Sequence, residues 1–179
     1  TVDHLERMPG AQWFPDASLN FAENLLRHRD DKTALVFRAE TGLHSSLTYR
    51  QLYQRVAGIA AALRAVGVGT GDRVAAYLPN LPETIIAMLA TTSIGAIWSS
   101  CSPDFGVTGV VDRLGQIEPK VLFCAAAYTY NGKQHDCLSK VREIQDHIES
   151  IDRIVVVPHV DQEPDLTGLK NAQLWNRFS

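Results

Sequence analysis

Two short polar stretches combine side chains able to grip a flat, phosphorylated ligand. The first, Ser99-Ser-Cys-Ser-Pro-Asp-Phe-Gly106, sets hydroxyls, the Asp104 carboxylate and the Phe105 ring beside a glycine that permits close backbone approach. The second, Tyr128-Thr-Tyr-Asn-Gly-Lys133, places an Asn-Gly turn signal between tyrosines that could stack on a base and a lysine that could meet a phosphate. Arg113 follows the first stretch within a predicted helix. Each has a plain structural reading too. Asp104 or Ser102 could simply cap the next helix, the tyrosines could be surface packing around a turn, and Arg113 could lie on a solvated helix face. On residue types alone the structural reading outweighs the functional one.

Other motifs carry less. Gly67-Val-Gly-Thr-Gly71 has the composition of a phosphate loop, but it follows a helix and precedes a strand, the reverse of a nucleotide-binding order. It reads as a helix stop and turn, with no ligand. His4, His28, His44, His135, His147 and His159 lie in separate elements, with no two spaced as a helical metal pair. His135-Asp136-Cys137 resembles a catalytic grouping only in the linear sequence, because adjacent residues do not face one another. Trp13 and Trp98 read as core.

The elements that must position these stretches alternate. Asn20 to Arg27 can form a short helix with Asn20 as cap and Glu23 three residues on, and Ala34–Phe37 reads as a first strand. Thr48-Tyr-Arg-Gln51 starts a helix as a capping box, and Leu52, Val56, Ile59, Ala60 and Leu63 line one face. Strands follow at Val74–Leu78, Ala96–Ser99, Lys120–Ala125 and Arg153–Val157, the last ended by Pro158 and a loop at Asp161–Asp165. Between them, one helix is capped by Asn80 with Pro82 and Glu83 in its first turn; others span Val107–Ile117 and Leu138–Ile148. This order implies an α/β fold, a mostly parallel sheet with helices on both faces. Open parallel sheets bind ligands beyond the carboxyl ends of their strands. Those ends are Pro79-Asn80, Ser99–Gly106, Ala125–Lys133 and Pro158-His159. The chain divides into a loop-rich segment 1–32, an α/β subdomain 33–160, and a truncated connection 161–179.

Composition excludes several classes. The chain has 179 residues, 45% of them hydrophobic, enough for a real core, and a formal charge of −3 that gives no footprint for nucleic acid. The longest apolar stretch, Ile85–Trp98, is too short and too interrupted to span a bilayer, so no membrane partner is expected. Three cysteines without metal-ligand spacing fit a reducing, cytoplasmic setting. No signal peptide opens the chain, which starts without Met, and both ends are expected to be cuts.

Several segments together resemble the acyl-CoA synthetases of the adenylate-forming superfamily, in particular the acetyl-CoA and acetoacetyl-CoA synthetase group. They are Trp13–Leu25, Leu47–Leu52, Gly71–Gly106, Asp112–Phe123 and Tyr130–Lys133, and Ser102–Gly106 with Tyr130–Lys133 is similar to the acetoacetyl type. The resemblance implies the early part of an enzyme that uses ATP and Mg2+ to convert acetoacetate, or another short acyl acid, to an acyl-adenylate. The acyl group then passes to coenzyme A. The family's Ser/Thr/Gly-rich phosphate loop, its adenine and ribose contacts and its C-terminal domain have no counterpart in 1–179, so no catalytic residue is assigned. Inactivity of this polypeptide alone is expected, with the remainder of its own chain as partner. By position, the resemblance makes Asp104, Phe105, Tyr130 and Lys133 coenzyme A contacts, with Arg113 a weaker one, and raises both loops above their structural reading. Relatives carry arginines at the basic turn where this chain has Tyr130 and Lys133. Two other readings are a self-contained α/β module binding a nucleotide or coenzyme A without catalysis, and an interaction domain with no ligand. Loss of neighbouring structure would leave an apolar sheet edge or face for self-association.

Overall fold

Residues 2–158 and 163–178 are described by a computed structural model; His159 and the start of the expected 161–165 loop lie outside them. β1 (Val2–Asp3) pairs antiparallel with β2 (Gln12–Trp13). Trp13 is 62% exposed, contrary to the core placement its type implied, because this two-residue strand belongs to a ribbon that does not join the main sheet. α1 (Phe21–Leu25) starts as expected, with the Asn20 side chain accepting the Glu23 amide proton and donating to the Thr92 carbonyl.

β3 (Thr33–Arg38) is the expected first strand, but it forms an antiparallel hairpin with β4 (His44–Thr48) outside the parallel sheet. β4 reads His-Ser-Ser-Leu-Thr with its first three residues exposed, so no apolar alternation announced it. α2 (Tyr49–Ala65) opens with the full capping box between Thr48 and Gln51, buries the whole predicted stripe, and yields to Gly67 at φ +81°. Each larger side chain of that stripe contributes about 1.5–3 kcal/mol on burial.

The main sheet then builds up. β5 (Arg73–Tyr77) leads to α3 (Pro82–Ser93), β6 (Ile97–Cys101) and α4 (Val107–Leu114), whose last turn tightens over Gly115–Ile117. β7 (Val121–Ala125) follows, and then the hairpin of β8 (Ala127–Tyr130) and β9 (Lys133–Asp136). α5 (Leu138–His147), β10 (Arg153–Val157), β11 (Gln173–Leu174) and α6 (Trp175–Phe178) complete the described chain. The strand order is β11-β10-β7-β5-β6, all parallel. Chain direction along the sheet reverses after β6, so right-handed crossovers put α3 on one face and α4 and α5 on the other. The packing agrees: α1 and α2 lie on α3, and α4 lies on α5. Central strands β5, β7 and β10 are buried almost throughout, as continuous apolar runs require. Phe123 of β7 gathers Trp98, Trp175 and Phe178 at ring separations of 6.3, 5.7 and 5.9 Å, tying α6 to the sheet.

Three local expectations need correction. Leu81, not Asn80, caps α3, because Pro82 with its fixed φ takes the first helical position. Neither Asp104 nor Ser102 caps α4; Gly106 occupies that place without a side-chain bond. β6 runs two residues past Ser99, since serines pair in a backbone ladder as readily as apolar residues do. No described helix is long and apolar enough to cross a membrane.

Candidate functional site at the carboxyl edge of the sheet

Register decides where the two polar stretches meet. Tyr77 aligns with Cys101 on one side and Cys124 on the other, and Cys124 aligns with Val156. The segments after β5, β6, β7 and β10 therefore open on one edge. The Gly67–Gly71 turn precedes β5 and sits at the opposite edge, where Gly69 donates its amide to Asp72, so it behaves as the plain turn expected.

The loop after β6 is pinned from below. Tyr77 is fully buried, and its hydroxyl lies 2.7 Å from the Pro103 carbonyl and 2.9 Å from that of Phe105, so its single proton serves either. Lys140 on α5 donates to the same Pro103 carbonyl at 3.2 Å. Burial drives the Tyr77 phenol pKa far up, and the hydroxyl stays a donor. Above this floor, the Asp104 carboxylate accepts from the Tyr128 hydroxyl at 2.9 Å and the Ser102 hydroxyl at 2.9 Å. Those two bonds, Tyr128's first, hold its pKa below the ordinary carboxylate value. Burial, then the bond to Asp104, pushes the Tyr128 phenol up to about 12.

The hairpin supplies the other wall. Directly opposite residues on paired strands share a face, and so do residues two apart along a strand. Tyr128 opposes His135, their rings stacked at 5.0 Å, and Tyr130 opposes Lys133. Tyr128 reaches Asp104, so the face bearing Tyr128, Tyr130, Lys133 and His135 looks toward the loop after β6. A cleft of about 330 Å³ lies between them, lined by Pro79, Asn80, Ser102, Asp104, Tyr128 and Tyr130.

The sequence-predicted residues thus divide. Asp104 and Tyr130 wall one cleft, and Lys133 stands beside Tyr130 on the exposed hairpin. Arg113 is not merely on a solvated face: its guanidinium lies 4.4 Å from the Phe105 ring centroid and donates to the Gly109 carbonyl at 2.7 Å. Phe105 and Arg113 make a separate pair, outside the cleft walls. Tyr77 and Lys140 were missed; a tyrosine inside an apolar strand signals a buried hydroxyl needing a partner. Glu40 was missed as well. Its carboxylate accepts from the Asn131 amide at 3.1 Å and the Gly132 amide at 2.8 Å, with no motif to announce it.

The His135-Asp136-Cys137 run is not a catalytic group. His135 stacks on Tyr128, Asp136 accepts the Leu138 and Ser139 amide protons at the start of α5, and Cys137 is buried. Burial raises the thiol pKa of Cys101, Cys124 and Cys137, the last to about 12, so none is a ready nucleophile. A second, larger cleft of about 530 Å³ lies between the β3–β4 hairpin, the strand ends and α6, with Phe37, Leu43, Leu81 and Trp175 among its walls.

A family model described as AMP-binding enzyme matches residues 21–177. The acetoacetyl-coenzyme A synthetase of Rhizobium meliloti (strain 1021) is 53% identical over 154 residues, covering 86% of this chain and 23% of that protein. The acetoacetyl-CoA synthetase of Danio rerio is 48% identical over 171 residues, 93% of this chain and 25% of its own. A solved structure of acetoacetyl-CoA synthetase from Streptomyces lividans matches with a TM-score of 0.88 and 42% identity over 96% of this chain and 26% of that one. The chain therefore spans about a quarter of the length of these relatives. On the match over residues 21–177, the chain belongs to the AMP-binding enzyme family.

Proposed function

We propose that the protein carrying this segment is an AMP-forming acid–thiol ligase acting on acetoacetate, and that this segment contributes the binding edge for the coenzyme A nucleotide. The carboxylate attacks the α-phosphorus of ATP, releasing pyrophosphate; the coenzyme A sulfur then attacks the acyl carbon, releasing AMP and a thiol proton to solvent. The relatives' names support the overall reaction. One geometric observation supports the segment's share: Asp104 on one wall and Tyr128 and Tyr130 on the other line one cleft at the carboxyl edge, with Lys133 opposite Tyr130 on the same hairpin face. Tyr130, 65% exposed, offers a ring face to the adenine, and Lys133 offers a point charge to a phosphate.

Asp104 has a different part. Both of its oxygens are held inside the site, so it orders the loop. ATP and Mg2+ belong to the remainder of the full-length protein. The glycine-rich turn lies at the edge of the sheet away from the candidate cleft. Three buried, unpaired thiols support a reducing, cytosolic setting.

The test separates the two half-reactions in the full-length protein. Lys133→Ala raises the KM for coenzyme A about tenfold, the worth of one charge-assisted bond, and leaves acetoacetate-dependent ATP–pyrophosphate exchange unchanged. Equal loss in both half-reactions sinks the assignment. The polypeptide 1–179 alone gives no exchange.

A further inference from the structure

The turn that carries Tyr130 and Lys133 is held from outside its own hairpin. Asn131 and Gly132 have φ +50° and +71°, the two positive values of a primed two-residue turn, which Asn-Gly adopts readily. Amides at the two central positions of such a turn point away from the strand ladder and have no partner within the hairpin. Glu40 meets both, one oxygen to each amide, from 91 and 92 residues earlier in the chain. Glu40 is itself carried on a closed loop, where Ala39 donates to Leu43 and Gly42 to Ala39. A carboxylate accepting two amide protons forms two charge-assisted bonds, stronger than neutral ones.

We infer that Glu40 is a positioning residue for the coenzyme A site: it clamps the Asn131-Gly132 turn and so fixes the neighbouring Tyr130–Lys133 pair. The inference rests on the function proposed above. Without the clamp, a four-residue strand pair projecting from the sheet must order its tip when the ligand arrives, and that ordering weakens binding. Placing a negative charge near a phosphate site would ordinarily repel the ligand. Here both oxygens face amide donors, so the clamp and the repulsion predict opposite signs for removing the charge.

The experiment uses full-length protein with Glu40→Ala, Glu40→Gln and Lys133→Ala, singly and combined, measuring coenzyme A kinetics and ATP–pyrophosphate exchange. Glu40 is exposed, so its variants fold. Glu40→Ala raises the KM for coenzyme A about three- to tenfold with exchange unchanged. Glu40→Gln, which keeps one good acceptor, falls between. On the Lys133→Ala background the effect of Glu40→Ala shrinks to the part carried by Tyr130, because the clamp acts through both members of that pair. A lowered or unchanged KM in Glu40→Ala, with Lys133→Ala still raising it, overturns the inference and leaves the function standing. A full Glu40 effect persisting without Lys133, or equal slowing of both half-reactions, also overturns it. No effect from any variant removes the coenzyme A reading together with the clamp.

Discussion

Asp104 shows how a residue's place in the fold can be legible while its hydrogen-bond partners are not. Its position in a loop at the sheet's carboxyl edge was legible, because an apolar run ended there in hydroxyls, a carboxylate and an aromatic ring. Its partners were not, because they are Tyr128, 24 residues away, and Ser102. The chemistry makes a pH prediction. The folded-state pKa of Asp104 is lowered, so its contribution to stability is present above the ordinary carboxylate value of about 3.9 and is lost as pH falls through the folded value. Tyr128→Phe keeps the ring stacked on His135 and removes the larger of the two causes. The Asp104 carboxyl should then titrate closer to 3.9 in a carbon-detected NMR titration. The stability lost above pH 4 should be well under about 1 kcal/mol, because the group is exposed. An unchanged titration midpoint means that the hydroxyl does not hold the carboxylate. Glu40 had no comparable signal: an isolated glutamate in a polar loop looks like any solvated residue until the distant turn is placed against it.

At the scale of elements, what was readable follows from burial. β5, β7 and β10 are covered on both faces and so announced themselves as unbroken apolar runs, and α2 announced itself by its cap and stripe. β4 and the β8–β9 hairpin are largely exposed and half polar, which erases the alternation that marks a strand, and β11 is too short to have a period. The helix α3 allows a paired test with opposite signs. Gly95, just past its end, has φ +76°, and a Cβ there would lie 2.9 Å from the Thr70 hydroxyl, which itself donates to the Ile94 carbonyl. Gly95→Ala therefore combines backbone strain with a clash, and should cost about 1–3 kcal/mol in urea unfolding. Thr91, on the same helix, is fully buried with a hydroxyl that has no hydrogen-bond partner among the described residues. Replacing it with valine removes an unsatisfied polar atom and keeps the shape, so Thr91→Val should be neutral or stabilising by up to about 1 kcal/mol. A destabilised Thr91→Val protein would mean that the hydroxyl finds a partner, such as a bound water.

At the scale of the whole molecule, the surface is uneven. Leu5, Met8, Trp13, Phe14, Leu19 and Phe21 are all more than half exposed, clustered within the first 21 residues. The sheet ends at β6, an edge with no further strand among the described residues and with Ile97 51% exposed. Exposed apolar side chains and a sheet edge are surfaces that other protein covers, by apolar burial in the first case and strand addition in the second. In a full-length relative roughly three quarters of the chain is available for that purpose. In the 179-residue polypeptide only a second copy is, so it should self-associate in sedimentation velocity at micromolar concentration. Each large apolar side chain covered at such a contact is worth about 1.5–3 kcal/mol. Trp13→Ser with Phe14→Ser should then weaken association at least about tenfold while leaving the far-ultraviolet circular dichroism unchanged. If instead the double variant associates as before and a β6 edge substitution such as Ile97→Lys abolishes it, strand addition at the edge is the driving contact. A wild-type polypeptide that sediments as a clean monomer at every concentration means that neither surface is adhesive.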